Sequence, residues 1–408
     1  MIIWSYILYL KDYYSRTTMT FDITKIARPN ILTLEPYRCA RDDFTEGILL
    51  DANENTHGPS FIGMTESENK LELNRYPDPH QQVLKKQICE FRNNERIGED
   101  KIDINNLCLG VGSDESIDAL MRCFISPGKE KMLICPPTYG MYSICGVVND
   151  VEIVKVPLDL ETFDIIPENI LNKLINDPLI KLVYITSPGN PTAKKISESK
   201  VFKLLEEIEK NSLNVIIVLD EAYIDFSPIG SSLCTLVNKY PNLVVLQTLS
   251  KAFALAGIRL GITYSNYQIS KLLNSMKYPY NISNLTSDIA IRSTTTESLK
   301  ETKNKINKII EQRGIVLDKL LKLKYVGKNK GGLDANFILV EILNKDLKPD
   351  NEIANKLYLT LAKENKIVVR FRGNELGCNG CLRISIGTSE ENEVLVSTFE
   401  QVLNDINN

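Results

Sequence analysis

The feature that most constrains the fold is a series of uninterrupted apolar runs separated by longer amphipathic stretches. Runs such as IKLVYIT and NVIIVLD carry Val, Ile and Leu at consecutive positions, without polar alternation. Strands that are buried on both faces have this composition, and the intervening stretches predict covering helices. We therefore expect an α/β fold with a mostly parallel central sheet, covered by helices, in a large domain.

The pattern of apolar and polar residues changes after about residue 288, where a long Lys/Glu/Asn-rich helix is predicted. It is followed by the strand-like ANFILVEI, the helical NEIANKLYLTLAKEN, and the strands KIVVRF and CLRISIGT. This alternation predicts a smaller α+β domain. We expect the large domain to span residues 61–288 and the small domain residues 289–408.

Composition excludes several classes of function. A net charge of −4 offers no basic field for nucleic acid and no polybasic membrane patch. The nine cysteines are scattered and odd in number, which indicates free thiols and a cytoplasmic location. Only His57 and His80 are present, so a three-histidine metal site is impossible. The single CxxC pair, Cys378 and Cys381, is weak grounds for zinc or redox chemistry, and we predict no metal.

Residues 1–18 begin with MIIWSYILYL, which is apolar but too short to span a bilayer. The segment lacks both a basic leader and a small-residue cleavage site. We expect it to be a disordered extension, and the sequence MTFDITKIARPNI from Met19 resembles an ordinary cytosolic start.

Polar clusters follow the predicted strands at the points where those strands end. They lie at residues 110–115, 136–142, 187–192, 220–223 and 250–251. Because the carboxyl ends of parallel strands meet at one edge of a sheet, we expect these five clusters to form a single site.

One of these clusters contains Lys251, a lysine wrapped in the small apolar residues of LSKAFALAGIRLG. Desolvation and a nearby arginine lower the pKa of a lysine, which makes its amine a nucleophile and proton carrier. Pyridoxal phosphate needs such a lysine for its aldehyde and a carboxylate, here Asp220, for its ring nitrogen. Asn190 and Tyr223 are candidates to contact the phenolic oxygen, and Tyr139 to stack on the ring.

The phosphate of such a cofactor needs backbone N–H groups at the start of a helix. The sequence GVGSDES offers them, with Ser113 and Asp114 opening a predicted helix. Ser250 and Arg259 flank the lysine and are candidates to complete the phosphate site.

The motifs SPGNPT, LDEAYIDF and LSKAFALAGIRLG resemble the fold-type I pyridoxal-phosphate-dependent aminotransferases. Within them, the stretches LEPYRCARDDF, RYPDPHQ, YPYNIS and RFRGNELGCNGCLRISIGT are similar to the histidinol-phosphate aminotransferases, in particular to their fungal branch. The resemblance runs from about Ile26 to Gly387, which is nearly the whole chain.

The resemblance implies a ping-pong transaminase of L-histidine biosynthesis that uses pyridoxal 5′-phosphate. Its substrates would be histidinol phosphate and 2-oxoglutarate, and its products imidazole-acetol phosphate and glutamate. Lys251, Asp220 and Tyr223 would be catalytic. Two arginines on the small domain, Arg370 and Arg383, would bind the anionic end of the substrate, with Tyr37 and Asn336 close to it.

The resemblance also implies a homodimer with shared active sites. Tyr76, in RYPDP, would reach the cofactor phosphate of the neighbouring subunit, and residues 19–60 would pack on the small domain and on that subunit. Neither a nucleic acid nor a membrane is expected as a partner. Arg372 has no assigned role.

The chain departs from the family pattern SPNNPTG at Gly189 and Ala193, which puts the geometry of that turn in question. An aromatic-amino-acid aminotransferase and a threonine-phosphate decarboxylase are alternatives on the same scaffold. A pyridoxal-phosphate-binding regulator is a more remote alternative, since no basic DNA-binding module precedes the matched region.

Overall fold

The computed structural model describes residues 21–36, 38, 42, 52, 59, 63–96, 98 and 100–407. Within these residues the strands are β1 (Leu107–Val111), β2 (Lys131–Ile134), β3 (Glu152–Lys155), β4 (Ile180–Thr186), β5 (Ile216–Asp220), β6 (Leu243–Thr248), β7 (Leu260–Tyr264), β8 (Val326–Asn329), β9 (Phe337–Ile342), β10 (Arg370–Phe371) and β11 (Cys381–Ser385). The α-helices are α1 (Ile23–Ile26), α2 (Pro29–Leu32), α3 (Glu66–Asn69), α4 (Gln82–Glu95), α5 (Gly112–Phe124), α6 (Met141–Val148), α7 (Pro167–Asn176), α8 (Glu198–Lys210), α9 (Tyr267–Met276), α10 (Asn284–Ser293), α11 (Thr296–Leu321), α12 (Asn351–Lys363) and α13 (Ser389–Asn407).

The larger sheet has seven strands in the order β1-β7-β6-β5-β4-β2-β3. The pairs from β6 through β5, β4 and β2 to β3 are parallel, whereas β7 is antiparallel to both of its neighbours. The prediction of a mostly parallel central sheet is therefore confirmed. The carboxyl ends of β4, β5 and β6 lie side by side at one edge.

Both faces of this sheet are buried, which explains the uninterrupted apolar runs. Along β5, Ile216 and Val218 pack into the core on one face, and Ile217 and Leu219 pack into the core on the other. All four side chains are at most 2% exposed. A strand covered on both sides has no solvent face to alternate with, so every position favours an apolar residue.

The smaller sheet has four strands in the order β10-β11-β9-β8, and all its pairs are antiparallel. Its core packs against α11, α12 and α13. The predicted strand KIVVRF is reduced to the two residues of β10, an edge strand that begins after the exposed Val368. The domain boundary at residues 288 and 289 stays a prediction, and residues 1–18 lie outside the described residues.

None of the helices in the described part of the chain combines the length and the apolar character that a membrane span requires.

Candidate active site

The polar clusters at the strand ends meet in one cavity of about 360 Å³. Its wall is formed by Ser113, Asp114, Tyr139, Thr186, Asn190, Asp220, Ala222, Tyr223, Thr248, Ser250, Lys251, Arg259, Arg370, Arg372 and Arg383. The expected convergence is therefore observed, and the small sheet contributes three arginines to the same cavity.

Asp220, at the end of β5, is the buried acid of the cavity, with 2% of its surface exposed. The Tyr142 hydroxyl donates to Asp220 Oδ2 at 2.7 Å, and the Ala222 N–H donates to Oδ1 at 3.1 Å. Burial raises the pKa of the Asp220 carboxyl, and the Tyr142 hydrogen bond opposes that rise. A cation placed at this carboxylate would relieve the cost of burying a charge without a counter-ion.

Tyr142 is held by its own contacts. Its ring is fully buried and stacks on Tyr184, with 4.9 Å between the centroids. Its hydroxyl also lies 2.8 Å from Thr186 Oγ1, at the end of β4. These contacts fix the hydroxyl so that it points at Asp220.

Lys251 follows β6 and presents its amine to the cavity, 5.5 Å from the centroid of the Tyr223 ring. Burial is the largest cause that lowers the pKa of Lys251, and the positive charges of Arg383 and Arg259 lower it further. Asp114 and Asp220 act in the opposite direction. The direction is the one expected from the sequence for an amine that acts as a nucleophile.

The amino-terminal end of α5 forms another wall of the cavity. Gly112 has a φ of +77°, and a Cβ atom there would collide with the Arg259 guanidinium. A Cβ atom at Gly261 would collide with the backbone of Gly112 and Ser113, so β7 packs directly against the start of the helix. The close approach leaves the first N–H groups of α5 beside the Arg259 side chain.

Side chains around this helix end form a connected set. Tyr139 donates from its hydroxyl to Asp114 Oδ1 at 3.1 Å. Arg259 Nη2 lies 3.6 Å from Asp114 Oδ2, and Arg259 Nη1 donates to Ser250 Oγ at 3.4 Å. Hydroxyl, guanidinium and helix N–H groups together are a donor set for a phosphate.

Asn190 lies in the SPGNPT turn and is buried at 7% exposure. Its Oδ1 accepts from Arg383 Nη1 at 2.6 Å, which links the large sheet to the small one. At Gly189 a Cβ atom would collide with Thr192 Oγ1. Ala193 adopts a φ of +51°, the left-handed region that glycine favours, and is fully buried. The turn thus keeps Asn190 in the cavity although Ala193 replaces the glycine of the family pattern.

The small sheet carries three arginines at the cavity. Arg370 on β10 stands directly opposite Arg383 on β11 in the strand register. Arg372 donates from Nη1 to Glu375 at 2.8 Å. The Nε atoms of Arg372 and Arg383 are buried, and among the described residues neither has a hydrogen-bond partner. Burial and the neighbouring Arg372 and Arg370 lower the pKa of Arg383.

The residues of the cavity fit pyridoxal 5′-phosphate. The glycine-lined start of α5 with Arg259 suits its phosphate, and the buried Asp220 suits its cationic ring nitrogen. The donors of Asn190 and Tyr223 lie on the same wall as Lys251. The Nε atoms of Arg372 and Arg383, which have no hydrogen-bond partner among the described residues, remain available to a second anion.

Two predicted site residues in the described part of the chain, Tyr76 and Asn336, are not among the cavity's walls. Tyr76 is 51% exposed, and its ring stacks on Tyr280 with 4.6 Å between centroids. Asn336 precedes β9, and its backbone carbonyl accepts from the Ile386 N–H at 3.0 Å. Tyr37 lies outside the described residues. The roles of all three stay predictions.

The sequence analysis missed Tyr142, Thr186, Thr248 and Arg372. Tyr142 ends the polar cluster at residues 136–142, but it begins the apolar run YSICGVV, and nothing in the sequence indicated a role for its hydroxyl. Arg372 did carry a signal, because it lies two residues from Arg370 and so shares a face of an extended strand with it.

The CxxC pair is not part of this cavity. Cys378 lies in the connection between β10 and β11, Cys381 is the first residue of β11, and both are fully buried free thiols. Among the residues that the structure describes, no group of His, Cys, Asp and Glu side chains could hold a metal ion.

Comparisons with known proteins agree with this geometry. Residues 45–399 match the family described as aminotransferase class I and II. A histidinol-phosphate aminotransferase from Candida maltosa is 63% identical over 389 residues, covering 95% of this chain and 100% of the relative.

Two solved structures are similar over most of their length. One is a histidinol-phosphate aminotransferase from Clostridium acetobutylicum, with a TM-score of 0.69 and 27% identity, covering 83% of this chain and 93% of that chain. The other is a histidinol-phosphate aminotransferase from Sinorhizobium meliloti in complex with pyridoxal-5′-phosphate, with a TM-score of 0.71 and 20% identity, covering 87% and 90%.

Proposed function

The chain belongs to the histidinol-phosphate aminotransferases, within the class I and II aminotransferase family, and on this premise we propose that it interconverts L-histidinol phosphate plus 2-oxoglutarate with imidazole-acetol phosphate plus L-glutamate. The observation that carries the proposal is the facing pair Arg370 and Arg383 in the same cavity as Lys251 and Asp220. A transaminase of this substrate must bind a phosphate beside the reacting carbon, and must also accept the carboxylate of glutamate. Two guanidinium forks suit both anions.

Pyridoxal 5′-phosphate, when bound, supplies the aldehyde that takes up the amino group and a cationic ring that draws electrons from the substrate's α-carbon. Asp220 would keep the ring nitrogen protonated, because a cation beside it offsets the cost of burying its carboxylate, which the charge of Lys251 offsets only in part. Four residues at the start of α5 and beside Lys251 would hold the cofactor phosphate: Ser113, Asp114, Ser250 and Arg259. Tyr139 would contact the ring, and Asn190 and Tyr223 would contact the phenolic oxygen.

Lys251 moves the proton in this reaction. The lowered pKa of Lys251 allows Nζ to take a proton from the substrate's α-carbon and to return it at the other end of a 1,3-proton shift. The Lys251 amine lies 5.5 Å from the centroid of the Tyr223 ring, so Lys251, the base, and Tyr223 are neighbours. Arg383 contributes twice, by binding the anion and by lowering the pKa of Lys251.

The assay that tests this function compares amino transfer to 2-oxoglutarate from histidinol phosphate, phenylalanine and tyrosine. We expect histidinol phosphate to have the highest kcat/KM by orders of magnitude, and Lys251→Ala to abolish turnover with all three donors. Arg292→Lys is the matched control, since Arg292 is a solvent-exposed arginine paired with Asp288 and distant from the cavity wall. If the aromatic acids are the better donors, the substrate assignment is wrong while the transaminase chemistry stands.

The shared active site of a homodimer belongs to the same proposal. Tyr76 is exposed, yet its ring is fixed against Tyr280, which supports a contact with a neighbouring chain. If so, mixing Tyr76→Ala chains with Lys251→Ala chains, each inactive alone, restores activity, because one site of each hybrid dimer has both residues intact. Failure of the mixture, with hybrids demonstrated by differential tags, excludes a shared site.

A cytoplasmic location is proposed as well. It is supported by the eight cysteines within the described residues, all of which are free thiols.

A further inference from the structure

A second cavity, of about 460 Å³, lies between the start of α4, the helix α9 and the loop that follows it. It shares no lining residue with the catalytic cavity. Among the described residues, its wall carries three lysines and a histidine but one carboxylate, that of Glu35. The basic side chains are Lys85, Lys271, Lys277 and His80.

Lys85 is the buried member of this set, with 8% of its surface exposed. Lys85 Nζ donates a long hydrogen bond, of 3.4 Å, to Asn274 Oδ1. The Asn274 amide donates to the carbonyls of Leu107 at 3.1 Å and Ser270 at 2.9 Å, which aims its oxygen at the lysine. A lysine ordinarily extends its ammonium to water, and a buried one without a counter-ion is costly.

Lys277 is the second basic group without a carboxylate partner in the described part of the chain. Its Nζ donates to the Pro79 carbonyl at 3.0 Å. Burial lowers the pKa of Lys85, and the positive charge of Lys277 lowers it further, so the two ammonium groups are close enough to repel each other. Glu115 lies near Lys277 and Asp78 lies near both lysines, and these carboxylates partly offset the repulsion. The oxygens of Asp78 accept from the backbone N–H groups of His80 and Gln82, and Glu115 accepts from the N–H of Val111.

The other two basic groups differ. Lys271 pairs with Glu35 at 3.1 Å, and His80 lies 2.6 Å from Asp42. The uncompensated positive charge of the cavity is therefore concentrated at Lys85 and Lys277.

The backbone adds to this charge. The helix α4 has 14 residues, its cap residue Gln81 makes no side-chain capping bond, and its first turn contains no acidic residue. The positive end of a helix favours an anion and disfavours a cation such as Lys85. The N–H of Gln82 at this helix end already donates to Asp78 Oδ2, so the indication of an anion comes chiefly from the buried ammonium of Lys85, which has no carboxylate partner among the described residues.

We propose that this second cavity binds a phosphate group, either as inorganic phosphate or as the phosphomonoester of a small metabolite, through Lys85 and Lys277. Two ammonium groups and a helix end match a dianion better than a single carboxylate. The volume exceeds that of a bare phosphate, and Tyr267, Ile104 and the prolines of the wall offer apolar surface to an organic portion. The wall includes Pro79 and Pro279, which adjoin the segments of Tyr76 and Tyr280, so an occupant would restrain that tyrosine pair.

The test is calorimetric titration of inorganic phosphate into the holoenzyme at low ionic strength. We expect the wild type to bind phosphate at two sites per chain, one at the catalytic arginines and one at the second cavity. Lys85→Met and Lys277→Met should each remove one site and leave kcat with saturating substrates unchanged. Arg383→Lys should weaken the other site only.

Methionine preserves the length of the Lys85 side chain and is compatible with burial, and a melting temperature no lower than that of the wild type shows that the variant folds. Lys271→Met is the matched control, because Lys271 lines the same cavity but is already paired with Glu35. Equal phosphate stoichiometry and affinity in the wild type, Lys85→Met and Lys277→Met would overturn the proposal. Titration with malonate tests the preference for phosphate, and titration with glycerol phosphate compares a phosphomonoester with inorganic phosphate. Loss of malonate and phosphate binding in parallel would show a general anion site and contradict the preference for phosphate.

Discussion

Replacing Tyr142 by phenylalanine isolates the hydrogen bond that supports the buried Asp220. The ring is fully buried and stacked on Tyr184, so phenylalanine keeps the packing and removes the 2.7 Å bond to Asp220 Oδ2. The Ala222 N–H, at 3.1 Å from Oδ1, remains as a donor. The carboxylate therefore loses one of its two donors, and Thr186 Oγ1 loses its 2.8 Å contact with the same hydroxyl.

The magnitude follows from the type of bond. A hydrogen bond to a charged group contributes about 1.5–3 kcal/mol, which corresponds to about a 10- to 100-fold change in an equilibrium constant. Because the bond favours the ionised form, its loss raises the pKa of Asp220 above its already raised value. A protonated Asp220 cannot hold a cation at the ring nitrogen, so cofactor affinity is lost as pH falls, and in Tyr142→Phe this loss begins at a higher pH.

The assay is fluorescence titration of the apoprotein with pyridoxal 5′-phosphate across a pH series, with kcat measured in parallel. Tyr184→Phe is the matched control, since the Tyr184 hydroxyl is equally buried but donates to the Ile117 carbonyl at 3.0 Å. That variant should lose stability and keep cofactor affinity. If Tyr142→Phe binds the cofactor as tightly as the wild type at every pH, the hydrogen bond does not tune Asp220 and the reasoning is refuted.

Three further predictions concern single side chains. Arg383→Lys keeps the charge but loses the guanidinium fork, so KM for histidinol phosphate should rise about 10-fold or more; an unchanged KM would remove Arg383 from the anion site. Burial raises the pKa of Glu221 to about 7 from 4.5. The contribution of protonated Glu221 to stability is therefore complete below pH 4.5 and is lost as pH rises through 7. Urea unfolding should show that the free energy of unfolding of the wild type, relative to that of Glu221→Gln, falls by about 3 kcal/mol over this range. Ala193→Gly should relieve about 1–2 kcal/mol of left-handed backbone strain. The higher entropy of glycine in the unfolded chain and the loss of a buried methyl group offset this gain, so thermal unfolding should show a net change in the free energy of unfolding below about 1 kcal/mol.

The fold was predictable where the residues of a single strand show by themselves that the strand is buried on both faces. The doubly buried strands β4, β5 and β6 were visible as apolar runs, and their carboxyl ends necessarily meet. The antiparallel direction of β7 was not predictable, because RLGITYS is equally suited to either orientation and the choice depends on how the chain returns past α5.

The site was predictable where a residue type is rare in its surroundings. Lys251 within apolar neighbours and Asp220 at the end of an apolar strand both stand out in the sequence. Tyr142 does not, because a tyrosine in a buried helix is ordinary and its hydroxyl acquires meaning only from the strand end opposite. Contacts such as Arg383 with Asn190 join residues 193 positions apart, and no local pattern encodes them.

Arg370 stands directly opposite Arg383 in the strand register, and we propose that this part of the small sheet is organised for a ligand and not for stability. Like charges at directly opposite positions on antiparallel strands destabilise the sheet, and Arg370 and Arg372 both lower the pKa of Arg383. In the described residues, the nearby carboxylate is that of Glu375, which pairs with Arg372. An anion bound between the two arginines offsets their repulsion. The free energy of binding therefore includes the loss of an electrostatic repulsion that destabilises the unliganded fold. Arg370→Gln should therefore raise the free energy of unfolding of the unliganded protein while it weakens substrate binding. A purely structural arginine would show a loss of stability instead, and chemical unfolding with and without substrate distinguishes the two.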